Sequence, residues 1–244
     1  MKAKETAVVL IEFQNEFCKE GGKLYGGVKG EISRQGTISN AVKLAEGARK
    51  KGALVIYAPF VFNPKYCSEH EMKGIVKAVA DGNAFREGTW GAEIIEELKP
   101  KKGDKVVSGK CTLCGFNNTD LERMIKGANI KNVIIAGFLT NFCVESTART
   151  AYDKGYAVTV IKNATAANSA KPIRPSTSRR RRLIQVRSHW PGGRSREATR
   201  SERLLFRIPK GMALARDSAA LPRLFFVGVD DLLHQRMAHN VGRR

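Results

Sequence analysis

Short runs rich in β-branched residues alternate with amphipathic stretches through the first 170 residues, and this alternation restricts the possible folds more than any other feature. The runs are Ala7–Ile11, Leu54–Ala58, Lys105–Ser108, Asn132–Ala136 and Ala157–Ile161. Apolar segments of this length suit strands buried on both faces of a parallel sheet. Between them, Asn40–Lys50, Thr119–Lys126 and Asn141–Lys154 read as helices, the last ending at Gly155 as a C′ glycine. The repeated β/α order predicts a three-layer α/β domain built on an open parallel sheet. In such sheets the ligand sits beyond the carboxyl ends of the strands.

Three reactive side chains fall at those ends. Glu12 follows the first strand, Lys110 follows the third, and Cys143 follows the fourth at the start of the next helix. Each alone has a plainer reading: a helix-capping acid, a solvated loop charge, a small buried hydrophobe. Together they form a coherent chemical set. The thiolate is the reactive form of cysteine, and a helix N-terminus and a nearby ammonium both favour it. An apparent thiol pKa below the free value of about 8.5 is therefore expected. A carboxylate can take the thiol proton and return it to a leaving amine. Backbone N–H groups at the helix start can receive an oxyanion. This equipment suits acyl transfer from an amide, and it needs no histidine.

The segments carrying these residues resemble those of a known family. Val8–Phe17, with Glu12-Phe13-Gln14-Asn15-Glu16-Phe17, is similar to the opening of isochorismatase-like cysteine hydrolases, usually a strand followed by Asp-x-Gln-Asn-Asp-Phe. Gly88-Thr89-Trp90-Gly91-Ala92 resembles the family's Gly-Thr-x-Gly-Ala segment, and Gly109-Lys110 its catalytic lysine. Gly137 through Ala148, with Ala151-Tyr152-Asp153-Lys154-Gly155-Tyr156 beyond, resembles its nucleophile segment. The resemblance implies a Rossmann-like fold and a Glu12–Lys110–Cys143 triad. It also implies a cis peptide between Phe138 and Leu139, with the amides of Leu139 and Cys143 as the oxyanion hole. The implied reaction is hydrolysis of a small carboxamide or ureido C–N bond through a thioester, with no cofactor. Members that cleave the enol ether of isochorismate generally lack the cysteine, so its presence favours amide chemistry, with enol-ether cleavage as an alternative.

Two departures qualify the resemblance. Glu12 stands where the family usually has Asp and is one methylene longer. It reads as the mark of a branch of the family, with impaired catalysis as the alternative. Nicotinamidase-like members carry an Asp-x-His and further histidines after strand two. Here Pro59–Tyr66 holds no histidine and His70 is the nearest. One histidine cannot furnish a three-ligand metal site, so no metal is expected and nicotinamide is disfavoured as substrate. Cys111-Thr112-Leu113-Cys114 has CxxC spacing without a second pair, and reads as structural. Arg86, Trp90 and Phe116 are candidate substrate contacts, Arg86 because its fork suits a carboxylate.

Composition divides the chain near residue 170. The net charge is +20, from 43 Lys and Arg against 23 Asp and Glu. Residues 1–170 hold 20 Lys, 5 Arg and 18 acids, whereas 171–244 hold 2 Lys, 16 Arg and 5 acids. The expected organisation is a hydrolase domain over 1–170 and an Arg-rich tail over 171–244. The tail has three readings: an arm that binds nucleic acid or another acidic partner in a catalytically impaired family member, a nuclear-import signal around Arg179–Arg182, or out-of-frame or unspliced translation with no evolved role. Within it, Leu224–Val229 could supply a sixth strand, with Asp230–Leu233 opening a helix. Family members often assemble as homo-oligomers. No signal-peptide pattern or apolar run of membrane-spanning length is present, and five cysteines without a regular framework fit a reducing compartment, so a cytoplasmic protein with no membrane partner is expected.

Overall fold

The computed structural model describes residues 1–63, 65–67 and 72–168 and the backbone of Leu224–Val227. The chain divides into two units, one of Met1–Ala170 with Leu221–Arg244 and one of Lys171–Ala220. The second lies outside the described residues, as do His70, the Arg179–Arg182 run and Asp230–Leu233.

Among the described residues, six parallel strands form one open sheet: β1 (Thr6–Ile11), β2 (Leu54–Ala58), β3 (Lys105–Val106), β4 (Asn132–Phe138), β5 (Ala157–Ala166) and β6 (Leu224–Val227). Their spatial order is β3-β2-β1-β4-β5-β6. The most apolar strands, β1 and β4, take the centre, where water is excluded from both faces. Alternate β1 residues serve different layers. Val8 and Leu10 pack with α2 (Tyr25–Gln35) and α3 (Thr37–Lys51), while Ala7, Val9 and Ile11 pack with α5 (Leu121–Gly127) and α6 (Glu145–Asp153). Two shorter helices, α1 (Asn15–Cys18) and α4 (Gly74–Asp81), complete the set among the described residues. Among the described residues, no helix is long and apolar enough to cross a membrane.

The differences from the sequence reading have local causes. Helix α2 was not expected because Gly26, Gly27 and Gly30 depress its intrinsic propensity; burial of Val28 and Ile32 against the sheet holds it. β3 is only two exposed residues long, shorter than Lys105–Ser108. β5 runs on to Ala166, past the exposed Lys162 that made Ile161 look terminal. β6 pairs in parallel with β5 from Val158↔Leu224 to Ile161↔Val227, so the sheet includes a strand from beyond residue 170. Gly155, at φ 87°, lies just past α6 as the glycine rule requires.

One glycine bears directly on the site. Gly137 pairs with Ile11 near the end of β4, and a Cβ there would lie 1.9 Å from the Ile11 carbonyl oxygen. Its φ of 131° is also one that side-chain-bearing residues rarely adopt. Only glycine lets β4 approach β1 this closely just before the nucleophile segment.

Candidate active site

Glu12 is the first residue after β1 and takes a left-handed φ of 56°, uncommon outside glycine and asparagine. Its N–H donates to the Ala58 carbonyl and its carbonyl accepts from Gln14 N–H, which holds this turn. The chain therefore leaves the sheet sharply at Glu12, whose side chain is buried. Lys110 is 1 % exposed, and its Nζ donates to Glu12 Oε1 and to the Thr112 carbonyl at 3.0 Å. The ring centroid of Phe60 lies 4.5 Å from the same nitrogen. The longer glutamate thus reaches the lysine.

Cys143 lies in a π-helical turn, Thr140–Val144, between β4 and α6. The preceding Phe138–Leu139 peptide is cis. Burial, followed by the negative charge of Glu12, pushes the Cys143 thiol well above its ordinary value. A hydrogen bond to Glu12 acts in the same direction, while Lys110 and a backbone hydrogen bond from Leu139 oppose it. This reverses the expectation of a lowered thiol pKa, because sequence spacing does not register desolvation. Burial alone would favour neutral Lys110, but the negative charge of Glu12 and its hydrogen bond to the ammonium work against burial, and the ammonium is held above its usual range. The resting cysteine is therefore a thiol with a carboxylate in reach, and proton transfer must accompany attack. Iodoacetamide alkylation of Cys143 should keep accelerating with pH through the free-thiol value of about 8.5, without levelling below it. Peptide mass spectrometry would check this, with denatured protein as the reference; a plateau below that value would contradict it.

Glu12 and Cys143 line a cavity of about 340 Å³, and Lys110 stands behind them. Its walls include Phe17, Phe60, Val79, Phe85 and Phe142, with Leu139 beside the thiol. The three residues at the strand ends are thus brought together. The three candidate contacts are not. Trp90 is 49 % exposed and packs near Gly21. Arg86 donates to Asn83 Oδ1 and the Ala80 carbonyl and lies over the Phe62 ring, so neighbouring protein groups hold it away from the cavity. Phe116 is buried in the opposite layer, stacked on Tyr156. Cys111 and Cys114 take separate partners. Cys114 Sγ lies 3.3 Å from Thr150 Oγ1, while Cys111 is pushed up to about 12 by burial and the adjacent Cys67.

The polar residues after Glu12 are fasteners that sequence reading did not single out. The Gln14 side chain accepts from Phe60 N–H and donates to the carbonyls of Phe60 and Ala92, all at 2.7–2.8 Å. Asn15 donates to the Trp90 carbonyl, and Glu16 accepts from the N–H groups of Lys23 and Phe85. Each ties a surrounding loop to the end of β1. Three adjacent amide or carboxylate residues beside an apolar strand were the available signal, since buried polar groups require partners.

The isochorismatase-domain family model matches residues 6–186, running past the composition break at residue 170. The chain belongs to the isochorismatase family. A ureidoacrylate amidohydrolase, RutB, from Agrobacterium fabrum is 34% identical over 68% of this chain and 77% of its own length. The corresponding protein of Rhizobium rhizogenes is 32% identical over 68% and 72%. Among solved structures, a cysteine hydrolase from Pseudomonas syringae pv. phaseolicola superposes with a TM-score of 0.61 at 28% identity, covering 69% of this chain and 75% of its own. N-carbamoylsarcosine amidase from Thermoplasma acidophilum gives 0.57 at 27% identity, covering 69% and 87%. The shared isochorismatase-family fold is the open parallel sheet with helices on both faces. Among the described residues, no three His, Cys, Asp or Glu side chains group as metal ligands.

Proposed function

We infer that this protein is a cysteine-dependent hydrolase of a small carboxamide or ureido C–N bond. The observation that carries the reading is the buried grouping of thiol, carboxylate and ammonium beside an apolar cavity in an isochorismatase-family fold. Relatives named as ureidoacrylate amidohydrolase and N-carbamoylsarcosine amidase support the bond type.

In the proposed cycle Cys143 Sγ attacks the carbonyl carbon as Glu12 takes the thiol proton. The Leu139 and Cys143 amides receive the oxyanion. Glu12 then protonates the leaving nitrogen, releasing ammonia or an amine and leaving a thioester. Water, deprotonated by Glu12, hydrolyses that thioester and the proton returns to Cys143. Lys110 stays charged throughout and offsets the negative charge gathered around Glu12 and the sulfur. The retained cysteine favours this chemistry over enol-ether cleavage.

The test is a panel of primary carboxamides and N-carbamoyl compounds, read by ammonia release and by intact-mass spectrometry under acid quench. An acyl adduct mapping to Cys143 is the expected result. Turnover without any covalent adduct, surviving Cys143→Ala, would point instead to direct attack by water. Full turnover by a chain ending at Val227 would separate residues 228–244 from the chemistry.

A further inference from the structure

Among the described residues, the cavity carries one positively charged side chain outside the proposed triad. Of its described lining residues, only Glu12, Lys23, Cys143 and Asn168 have polar or ionisable side chains, and two of these belong to the chemistry. Lys23 lies in the connection between α1 and α2 and is exposed at the rim. Despite that exposure it is held at both ends. Its N–H donates to Glu16 Oε2 at 2.6 Å, and its Nζ donates to the carbonyls of Gly82 at 3.1 Å and Asn83 at 2.5 Å. Those carbonyls follow α4, so the side chain stretches to a second element of the wall.

Two features make this ammonium a recognition group. Its acceptors are neutral carbonyls, and among the described residues no carboxylate pairs with it. The nearby acid, Glu16, is buried, and its two oxygens already accept from the N–H groups of Lys23 and Phe85. An ammonium has three donors, and two are engaged here, leaving one N–H and a full charge. The cavity that Lys23 borders has apolar walls, Val79, Phe17 and Leu24 among them, and such walls strengthen an electrostatic contact by displacing water.

We propose that Lys23 selects substrates by binding a carboxylate carried on an apolar body and separate from the scissile C–N bond. The substrate class is then an apolar ureido acid or amide acid. The proposal rests on the hydrolase reading for the Cys143 end of the cavity, while Lys23 itself is a specificity residue that touches no reacting atom.

The probes are N-carbamoyl-leucine and its methyl ester, which share a ureido group and an apolar body but differ in charge. Binding is measured by calorimetry on the full-length Cys143→Ala protein, so that no turnover occurs. The acid should bind about tenfold tighter than the ester, as expected for one partly exposed charge-assisted hydrogen bond. Adding Lys23→Met or Lys23→Gln should remove that preference and leave the ester's affinity unchanged; Lys23→Arg should keep it. The glutamine variant retains a donor for the Gly82 and Asn83 carbonyls, which guards against a folding defect. Equal affinities, no binding of either probe, or a preference that survives both neutral substitutions would overturn the proposal. Wild-type turnover of the same pair is scored separately. Hydrolysis of both without discrimination would sink the Lys23 subsite and leave the hydrolase. Selective binding without hydrolysis would do the reverse for these substrates.

Discussion

Cys143→Ser is expected to reduce amide turnover by about six orders of magnitude, the scale on which loss of a nucleophile acts in covalent hydrolases. Serine preserves the shape of the site, and at 5 % exposure Cys143 has no room for a larger change. The effect should therefore fall on kcat, with KM and the melting temperature little altered. The physical reason is acidity. A hydroxyl gives up its proton far less readily than a thiol, and the base in reach among the described residues is the Glu12 carboxylate. No histidine among the described residues is available to help. Steady-state kinetics of the purified variant would check this. Activity within about tenfold of wild type would mean that Cys143 is not the nucleophile.

The second large effect is on stability. Lys110 and Glu12 are buried partners, with side-chain exposures of 0% and 3%. Removing one member of such a pair leaves a charge without compensation, which typically costs about 3–5 kcal/mol. Lys110→Met should therefore lower the urea midpoint substantially. Glu12→Gln combined with Lys110→Met should recover much of the loss, because two neutral groups of similar shape then share the space. Urea denaturation of the wild type, both single variants and the double variant closes the cycle. Additive losses would show that the ion pair is not what holds the two side chains there. Turnover should be lost in all three variants, so the stability cycle and the activity measurement report different properties of the same contact.

The bond donated by Lys110 shows that a glutamate reaches the lysine from the position where the family resemblance leads one to expect aspartate. The turn at Glu12 is left-handed and the ion pair forms. Sequence comparison registers only the substitution. The backbone angle is one that no side-chain pattern specifies for a non-glycine residue. The outcome for Arg86, Trp90 and Phe116 was decided in the same way. All three occur in segments near the site, but an arginine fork beside Phe62, an indole at the surface and a ring stacked on Tyr156 are results of packing.

Much of the fold was legible because local composition and global architecture agree. β-branched runs buried on both faces, amphipathic stretches between them and a glycine after α6 specify a parallel α/β sheet with little ambiguity. The same order placed Glu12, Lys110 and Cys143 at strand ends, so their convergence could be read before any coordinates. Helix α2 escaped because its glycines argue against it, and only contact with the sheet favours it. The protonation of Cys143 could not be read either. Charge and helix position along the chain argue for a thiolate, yet desolvation by residues distant in sequence holds the proton on sulfur. The walls of the cavity, the Gln14 fastening to Phe60 and the anchoring of Lys23 by Gly82 and Asn83 all join segments far apart in the chain. Periodicity along the sequence determines which face of an element is buried. Which distant groups meet there, and how much water remains between them, is settled only when the layers close.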